Sequence, residues 1–276
     1  MQKPKIGLAL GSGGAKGFAH IGVIQALTEH HIPICAVAGS SMGSLIGALF
    51  AAGIPPMYLE GLACGLRFRH WIDFTVPKMG LISGERIREM VAFLTRDEVI
   101  EHLPIPLAIV ATELISRECV TFRAGNIADA VRASISIPGV FVPYVMDSGL
   151  YVDGGVLERV PVNAAYDLGA DFVIGVDVGS GRCSFKPESM IDVIIQTLDV
   201  MQDVASVRST EPDIMIVPDL EGIGPSHFNK AKAVIQAGYQ GTIQIMEQLK
   251  EVMLVKSDIE EGNHSAFLHE RSRTDG

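Results

Sequence analysis

Short apolar runs alternate along the chain with segments whose apolar residues recur every three or four positions. This alternation is typical of a mostly parallel β-sheet covered by helices on both faces. The apolar runs predict strands at Lys5–Leu10, Ile34–Ala38, Leu107–Thr112, Glu118–Phe122, Phe172–Val178 and Ile214–Val217. The helical spacing predicts helices at Gly17–His30, Met42–Ala52, Gly84–Thr95, Ile127–Ser134, Val162–Leu168, Met190–Ser206 and Lys230–Met253. We therefore expect an α/β fold with three layers.

The domain organisation follows from what interrupts this pattern. No internal repeat and no linker rich in Pro, Ser or Gly divides residues 1–255, so we expect a single domain there. Residues 256–276 are polar and mixed in charge, and we expect them to form a mobile tail.

Composition narrows the class of protein. Hydrophobic residues make up 48% of the chain, charged residues 20% and aromatic residues 6%, a balance that is typical of a globular enzyme and excludes extensive disorder. The formal net charge of −10 would repel a polyanion, so we expect no nucleic-acid partner. The four cysteines form no C-x-x-C pair, and they predict neither a zinc site nor a disulfide framework.

The apolar segments also indicate where in the cell the protein is expected. The longest of them, Leu45 to Leu66, is broken by glycines, by two prolines and by Glu60, which a membrane-spanning helix would tolerate poorly. The apolar run Ile6–Leu10 is too short for the core of a signal peptide. We expect a cytoplasmic protein without a transmembrane segment.

A candidate nucleophile lies at the end of the second predicted strand. Residues 39–43, GSSMG, match the pattern G-x-S-x-G directly after a strand and directly before a helix. A nucleophile elbow has this context, because its tight turn admits only small flanking residues and presents the serine at the rim of the sheet. The pattern predicts Ser41 as a nucleophile, and a glycine-rich helix start is the alternative.

A second glycine-rich segment, GSGGAKG at residues 11–17, also follows a strand and opens a helix. Its backbone N–H groups can surround an oxyanion or a nucleotide phosphate, and tight packing is a third interpretation. A P-loop needs Ser or Thr after its lysine, whereas Lys16 is followed by Gly17. The neighbouring elbow favours an oxyanion hole in which Gly13 and Gly14 donate N–H groups.

A serine nucleophile requires a base, usually a histidine. His20 lies on the first predicted helix, and three further histidines, His70, His102 and His227, do not follow a predicted parallel strand. The positions of the histidines therefore give little support to a conventional catalytic triad.

Two aspartates are better placed to act as the base. Asp153 ends a short apolar run and precedes two glycines, and Asp177 closes the predicted strand that contains residues 173–176. An Asp-Gly pair is equally typical of a hairpin turn. The residues alone leave the choice between Asp153 and Asp177 open.

Four blocks within residues 5–160 occur in the order found in a known family. They are GGAKG at 13–17, GSSMG at 39–43, ASISIPGVF at 133–141 and DGG at 153–155. On these blocks the sequence resembles the bacterial patatin-like phospholipase family, in the branch similar to the catalytic domain of neuropathy target esterase. The resemblance implies a patatin-like sandwich in which Ser41 is the nucleophile and Asp153 its base.

The resemblance also implies the remaining parts of the site. Gly13, Gly14 and the Met42 N–H would stabilise the oxyanion, and Lys16 matches the basic position of the family's glycine loop. The first glycine of that loop is replaced by Ser12, whose contribution the sequence leaves open. Chemistry of this kind requires no metal or organic cofactor.

A basic and aromatic segment follows the elbow helix. Residues 67–74, RFRHWIDF, contain two arginines and the only tryptophan of an acidic protein. Such a mixture suits a membrane surface, with ordinary helix packing as the alternative. We expect peripheral membrane contact through Arg67, Arg69 and Trp71.

These observations predict a serine acyl hydrolase of the phospholipase or lysophospholipase type that cleaves lipid carboxylic esters. A general carboxylesterase or acyltransferase with the same two residues is one alternative. A regulatory protein that binds a nucleotide through residues 11–17, without hydrolysis, is the alternative from another class.

Overall fold

The fold is that of a computed structural model that describes residues 4–65, 73, 79–180, 186–205 and 210–251, with the backbone alone for 203–205. Its strands are β1 (Ile6–Leu10), β2 (Ile34–Ser40), β3 (Gly80–Ile82), β4 (Leu107–Glu113), β5 (Glu118–Phe122), β6 (Gly139–Phe141), β7 (Tyr144–Met146), β8 (Gly149–Asp153), β9 (Phe172–Val176) and β10 (Ile214–Ile216). Its helices are α1 (Ala19–Glu29), α2 (Met42–Ala51), α3 (Pro56–Gly65), α4 (Glu85–Thr95), α5 (Ile127–Ser134), α6 (Val162–Asp167), α7 (Met190–Ala205) and α8 (Ala231–Gln244), and 246–251 are also helical.

The main sheet of the described residues has eight strands. Five of them, in the order β10-β9-β1-β2-β4, run parallel. Strand β4 also pairs antiparallel with β8, which in turn pairs antiparallel with β7, and β5 pairs antiparallel with β4 as a separate branch. A small second sheet joins β3 to β6. The expectation of a mostly parallel sheet with helices around it is confirmed.

The parallel strands are buried on both faces, and their side chains alternate between two apolar clusters. Leu8 and Leu10 of β1 point into the larger cluster with residues of α1, α2, α5 and α8. Ala9 lies on the opposite face with Ala38 of β2 and with Val162 of α6. Because successive side chains of a strand point to opposite faces, continuous apolar strands require this cover on both sides.

Strands β2 and β8 meet end to end on one edge of β4. β2 pairs with the first half of β4, where Ser40 lies opposite Val110. β8 arrives from the other direction and pairs with the second half, where Asp153 lies opposite Ala111. Since Val110 and Ala111 are consecutive, the last residue of β2 and the last residue of β8 are neighbours at the rim of the sheet.

The structure departs from the predicted elements at several points. The sequence pattern misses α3, which begins at Pro56 inside the apolar stretch; proline suits the first turn of a helix because the N–H that it lacks would have no partner there. The pattern also misses β3, β6 and β7, each of three residues and too short to show a period. The helix predicted at Lys230–Met253 is interrupted by a turn at Ile245.

Within the described ranges no helix is both long enough and apolar enough to cross a membrane. The expected single domain over 1–255 stays a prediction, and the expected tail at 256–276 lies outside the described residues.

Candidate active site

Ser41 occupies the tight turn between β2 and α2. Its φ of 54° is in the left-handed region that side-chain-bearing residues seldom adopt. A Cβ on Gly43 would lie 2.2 Å from the carbonyl oxygen of Leu10, and one on Gly39 would lie 2.6 Å from the carbonyl oxygen of Gly43. The two glycines of the G-x-S-x-G pattern are therefore required by close backbone approach.

The hydroxyl of Ser41 is hydrogen bonded to a buried carboxylate. Ser41 Oγ donates to Asp153 Oδ2 at 2.5 Å. The other carboxylate oxygen, Oδ1, accepts from the Gly155 N–H at 2.8 Å. Asp153 is only 3% exposed, so water contributes little to the solvation of its charge. The end of β8 thus brings a carboxylate into direct contact with the elbow serine.

Burial raises the pKa of Asp153 from its ordinary 3.8 to about 7. The hydrogen bonds from Ser41 and Gly155 oppose this rise because they stabilise the charged form, and the negative charge of Asp199 adds to it. A carboxylate with a pKa near neutrality can accept a proton from a hydroxyl and return it later, which an exposed aspartate does poorly.

The carboxyl end of α5 supports both residues of this pair. Ser134 Oγ accepts the backbone N–H of Ser41 at 2.9 Å. The carbonyl of Ser136 accepts the N–H of Asp153 at 3.0 Å. Arg132, which is also buried, donates to Ser136 Oγ at 2.6 Å and to the carbonyl oxygen of Val142 at 2.7 Å. One short segment therefore positions the elbow turn and the end of β8 together.

The glycine loop lies beside the pair. The N–H of Ser12 donates to the carbonyl of Arg159 at 2.9 Å, so this amide is engaged in the fold. Gly13 and Gly14 line a cavity together with Ser41 and Asp153, and in the described part of the chain no protein acceptor pairs with their amides. Their placement is compatible with the oxyanion role that the sequence predicts.

Lys16 and Met42 have different surroundings. Lys16 is buried in a 3-10 turn at Gly14–Phe18, and it is not among the described residues that line the cavity beside Ser41. Met42 is the first residue of α2, where an amide has no acceptor within the helix. The Met42 N–H is therefore available next to the nucleophile.

His20 is a residue whose contribution the sequence reasoning missed. It is completely buried, and its Nε2 donates to the carbonyl oxygen of Gly11, 2.7 Å away, at the start of the glycine loop. Burial lowers the pKa of His20 to about 4, although the Gly11 carbonyl and the charge of Asp177 act against this. A neutral His20 thus anchors the loop, and the available signal was a single histidine within the apolar first half of the helix.

Asp177, His102 and His227 have other partners. Asp177 forms an ion pair with Arg159 at 3.2 Å and accepts two backbone N–H groups at the end of β9. His102 pairs with Glu98 at the surface, and His227 accepts the N–H of Gly224. Among the described residues the hydroxyl of Ser41 is hydrogen bonded to Asp153 and to no histidine.

An apolar cleft with a cavity volume of about 60 Å³ leads to Ser41. It lies between the small second sheet, α2 and α7. Its apolar lining includes Leu45, Ile82, Ile135, Val140, Ile195 and Phe228. Such a lining favours an apolar group over a polar one next to the nucleophile.

Two further expectations concern other parts of the chain. The residues expected to contact a membrane, Arg67, Arg69 and Trp71, and the histidine His70 lie outside the described residues. Within the described ranges, no group of three or more His, Cys, Asp or Glu side chains is arranged to hold a metal ion.

Comparisons with known proteins identify relatives of the chain. An uncharacterized NTE family protein of Mycobacterium tuberculosis is 37% identical over 219 residues, which are 75% of this chain and 57% of that protein. Lysophospholipase nte1 of Aspergillus fumigatus is 28% identical over 278 residues, covering 89% of this chain and 18% of that protein. The crystal structure of VipD from Legionella pneumophila shares the fold, with a TM-score of 0.66 and 15% identity over 90% of this chain and 67% of VipD.

The chain thus spans little more than half the length of the mycobacterial relative. A family profile described as patatin-like phospholipase matches residues 8–166, which are more than half of the chain and contain all four blocks of the resemblance. The resemblance is confirmed, and the chain belongs to the patatin-like phospholipase family.

Proposed function

We propose that this protein is a serine acyl hydrolase that cleaves carboxylic esters of phospholipids or lysophospholipids, with Ser41 as nucleophile and Asp153 as base. The observation that carries the proposal is the 2.5 Å hydrogen bond from Ser41 Oγ to a carboxylate whose pKa burial raises to about 7. Both features are what a two-residue catalytic site needs, a nucleophile in contact with a base that titrates near neutrality.

In the acylation step, Ser41 Oγ forms a bond to the ester carbonyl carbon as its proton passes to Asp153 Oδ2. The negative charge moves to the carbonyl oxygen, where the N–H groups of Gly13, Gly14 and Met42 stabilise it. When the intermediate collapses, the bond to the leaving alkoxide breaks and Asp153 returns the proton to that oxygen. The products are a free alcohol and an acyl group on Ser41.

Deacylation repeats these steps with water. Asp153 accepts a proton from water as the water oxygen attacks the acyl carbon, and the same amides hold the second oxyanion. The bond to Ser41 Oγ then breaks, and Oγ recovers its proton from Asp153. The carboxylate is ionised again at the end of each turnover, so one side chain serves as base and acid in both halves.

The lining of the cleft supports a lipid substrate. Its apolar side chains favour an apolar acyl group over a polar acid. The fungal relative is named a lysophospholipase, and we propose the same substrate class here. We also propose that the protein works in the cytoplasm at the inner face of a membrane, where Arg67, Arg69 and Trp71 would meet anionic head groups.

The glycine loop gives less support to nucleotide binding. A phosphate cradle needs several successive free amides. Here the N–H groups of Ser12, Ala15 and Lys16 donate to protein carbonyls at 2.8 to 3.2 Å. Only a short part of the loop remains open to an anion, which suits a single oxygen atom better than a diphosphate.

Labelling with a fluorophosphonate, followed by peptide mapping, tests the proposal. We expect modification of Ser41 in the wild type, no labelling of Ser41→Ala, and loss of lysophospholipid and short-chain ester hydrolysis in that variant. Ser116→Ala, at an exposed turn between β4 and β5, is the matched control and should retain labelling and activity. Activity of folded Ser41→Ala within about twofold of the wild type would refute the proposed nucleophile.

A further inference from the structure

Helix α7 is apolar on two opposite faces. Its inner face carries Ile191 and Ile195, which line the cleft leading to Ser41. Its outer face carries Met190, Val193, Val200 and Met201, each between 52 and 65% exposed. These four residues recur at helical spacing and form one stripe, which we call the outer stripe. A helix that is apolar on both sides normally has a partner on both.

The outer stripe lies on the helix that forms one wall of the substrate cleft. Ile195 of that wall lies less than two turns from every residue of the outer stripe. A surface that covers the stripe therefore lies next to the path by which a substrate reaches Ser41. An aggregated lipid is the partner that can fill both positions at once, because it covers the stripe and supplies the acyl chain.

The charges of α7 restrict the kind of lipid surface. Residues 190–205 contain three aspartates and no lysine or arginine. Thr197 is exposed within the stripe, and its hydroxyl donates to the carbonyl oxygen of Val193 at 2.7 Å, so it needs no solvent partner. Asp192 is buried and Asp199 lines the cavity beside Asp153, so these two charges do not face the stripe. Because the helix has no lysine or arginine to pair with an anionic head group, the stripe suits a zwitterionic surface, into which its side chains insert without a charge partner.

We propose that the outer stripe of α7 docks on the surface of zwitterionic phospholipid aggregates and holds the cleft against the lipid phase. The proposal rests on the proposed function, because it assumes that the substrate is a lipid ester. Docking here is hydrophobic, so salt should affect it little. It is therefore distinct from the contact with anionic lipid expected of the segment at residues 67–74.

The test uses phosphatidylcholine vesicles, one triple variant of the outer stripe and one double variant as control. Val193→Ser, Val200→Ser and Met201→Ser together remove most of the outer stripe without touching the cleft. The control combines Phe93→Ser and Ile115→Ser, which alter two other exposed apolar residues, 82 and 74% exposed. Co-sedimentation is measured in the Ser41→Ala background, so that the vesicles stay intact.

We expect the stripe variant to bind the vesicles at least about tenfold more weakly and the control to bind as before, at low and high salt alike. With an active Ser41, the stripe variant should hydrolyse a soluble short-chain ester normally but vesicular phospholipid at least about tenfold more slowly.

Unchanged vesicle binding in the stripe variant would overturn the proposal. So would analytical ultracentrifugation showing a dimer that the same substitutions dissociate, since a second copy would then cover the stripe. A wild type that binds through the stripe yet hydrolyses no ester would support the docking surface and refute the proposed function.

Discussion

Asp153→Asn keeps the shape of the buried side chain and removes its charge. Burial raises the pKa of Asp153 from 3.8 to about 7, a difference of about three pKa units. At about 1.4 kcal/mol per unit, ionising this group in the folded protein costs about 4 kcal/mol more than in the unfolded chain. The substitution should therefore stabilise the protein wherever the wild-type carboxylate is ionised.

The pH dependence has a definite sign. Because the folded state holds the proton more tightly than the unfolded state, wild-type stability falls as the pH rises from about 4 to about 7 and then levels off. Asn does not titrate, so Asp153→Asn lacks this fall. The difference in unfolding free energy between variant and wild type should grow from near zero at about pH 4 to about 4 kcal/mol at about pH 8.

Urea unfolding followed by circular dichroism, at intervals between about pH 4 and pH 8, measures this difference. On a soluble ester, wild-type kcat/KM should rise with pH through about 7, and Asp153→Asn should be at least about 100-fold slower throughout. Asp177→Asn is the matched control, because it removes the carboxylate charge that pairs with Arg159 at 3.2 Å and should destabilise the protein instead. A stability difference that does not change with pH, or a destabilised Asp153→Asn at about pH 8, would refute the reasoning.

Two further predictions concern the glycine loop and the basic segment. His20→Leu removes the hydrogen bond to the Gly11 carbonyl and should lower kcat at least about tenfold with little change in KM. His20→Gln can still donate this hydrogen bond and should recover part of the loss. Steady-state kinetics measures both variants, and equal losses of kcat would indicate that His20 contributes packing alone. Replacing Arg67, Arg69 and Trp71 together should weaken binding to anionic vesicles without slowing a soluble ester; equal losses in both assays would point to damaged folding.

The sequence predicted the positions of the parallel strands and the elbow because both depend on local pattern. Val37 and its neighbours are apolar and β-branched or small, and GSSMG follows them directly, so strand, turn and helix can be recognised within one short window. The antiparallel strands β7 and β8 were harder to predict. β7 has three residues, and β8 depends on pairing with β4 about forty residues earlier in the chain, which no local period reveals.

The identity of the proposed catalytic base also depends on contacts that are distant in sequence. Asp153 and Asp177 both end apolar runs, and the choice between them came from the resemblance. In the fold, Arg159 faces Asp177, while Ser41 faces Asp153. These partners are distant in sequence and depend on strand order. The raised pKa of Asp153 likewise depends on burial, which is a property of the assembled sheet.

Because β2 and β8 meet on one edge of β4, the spacing of the proposed catalytic pair and the shape of the cleft depend on different parts of the structure. Asp153 is held by main-chain pairing to Ala111, so the spacing between nucleophile and base is set by the backbone and not by the side chains of the cleft. Cleft residues can be exchanged to suit a different acyl chain while the reacting atoms keep their places. A one-residue insertion within β8, by contrast, would shift Asp153 by about 3.3 Å and turn it to the opposite face of the sheet. Length variation in this region is tolerable at the turn between β7 and β8, at the far end of the strand from Asp153.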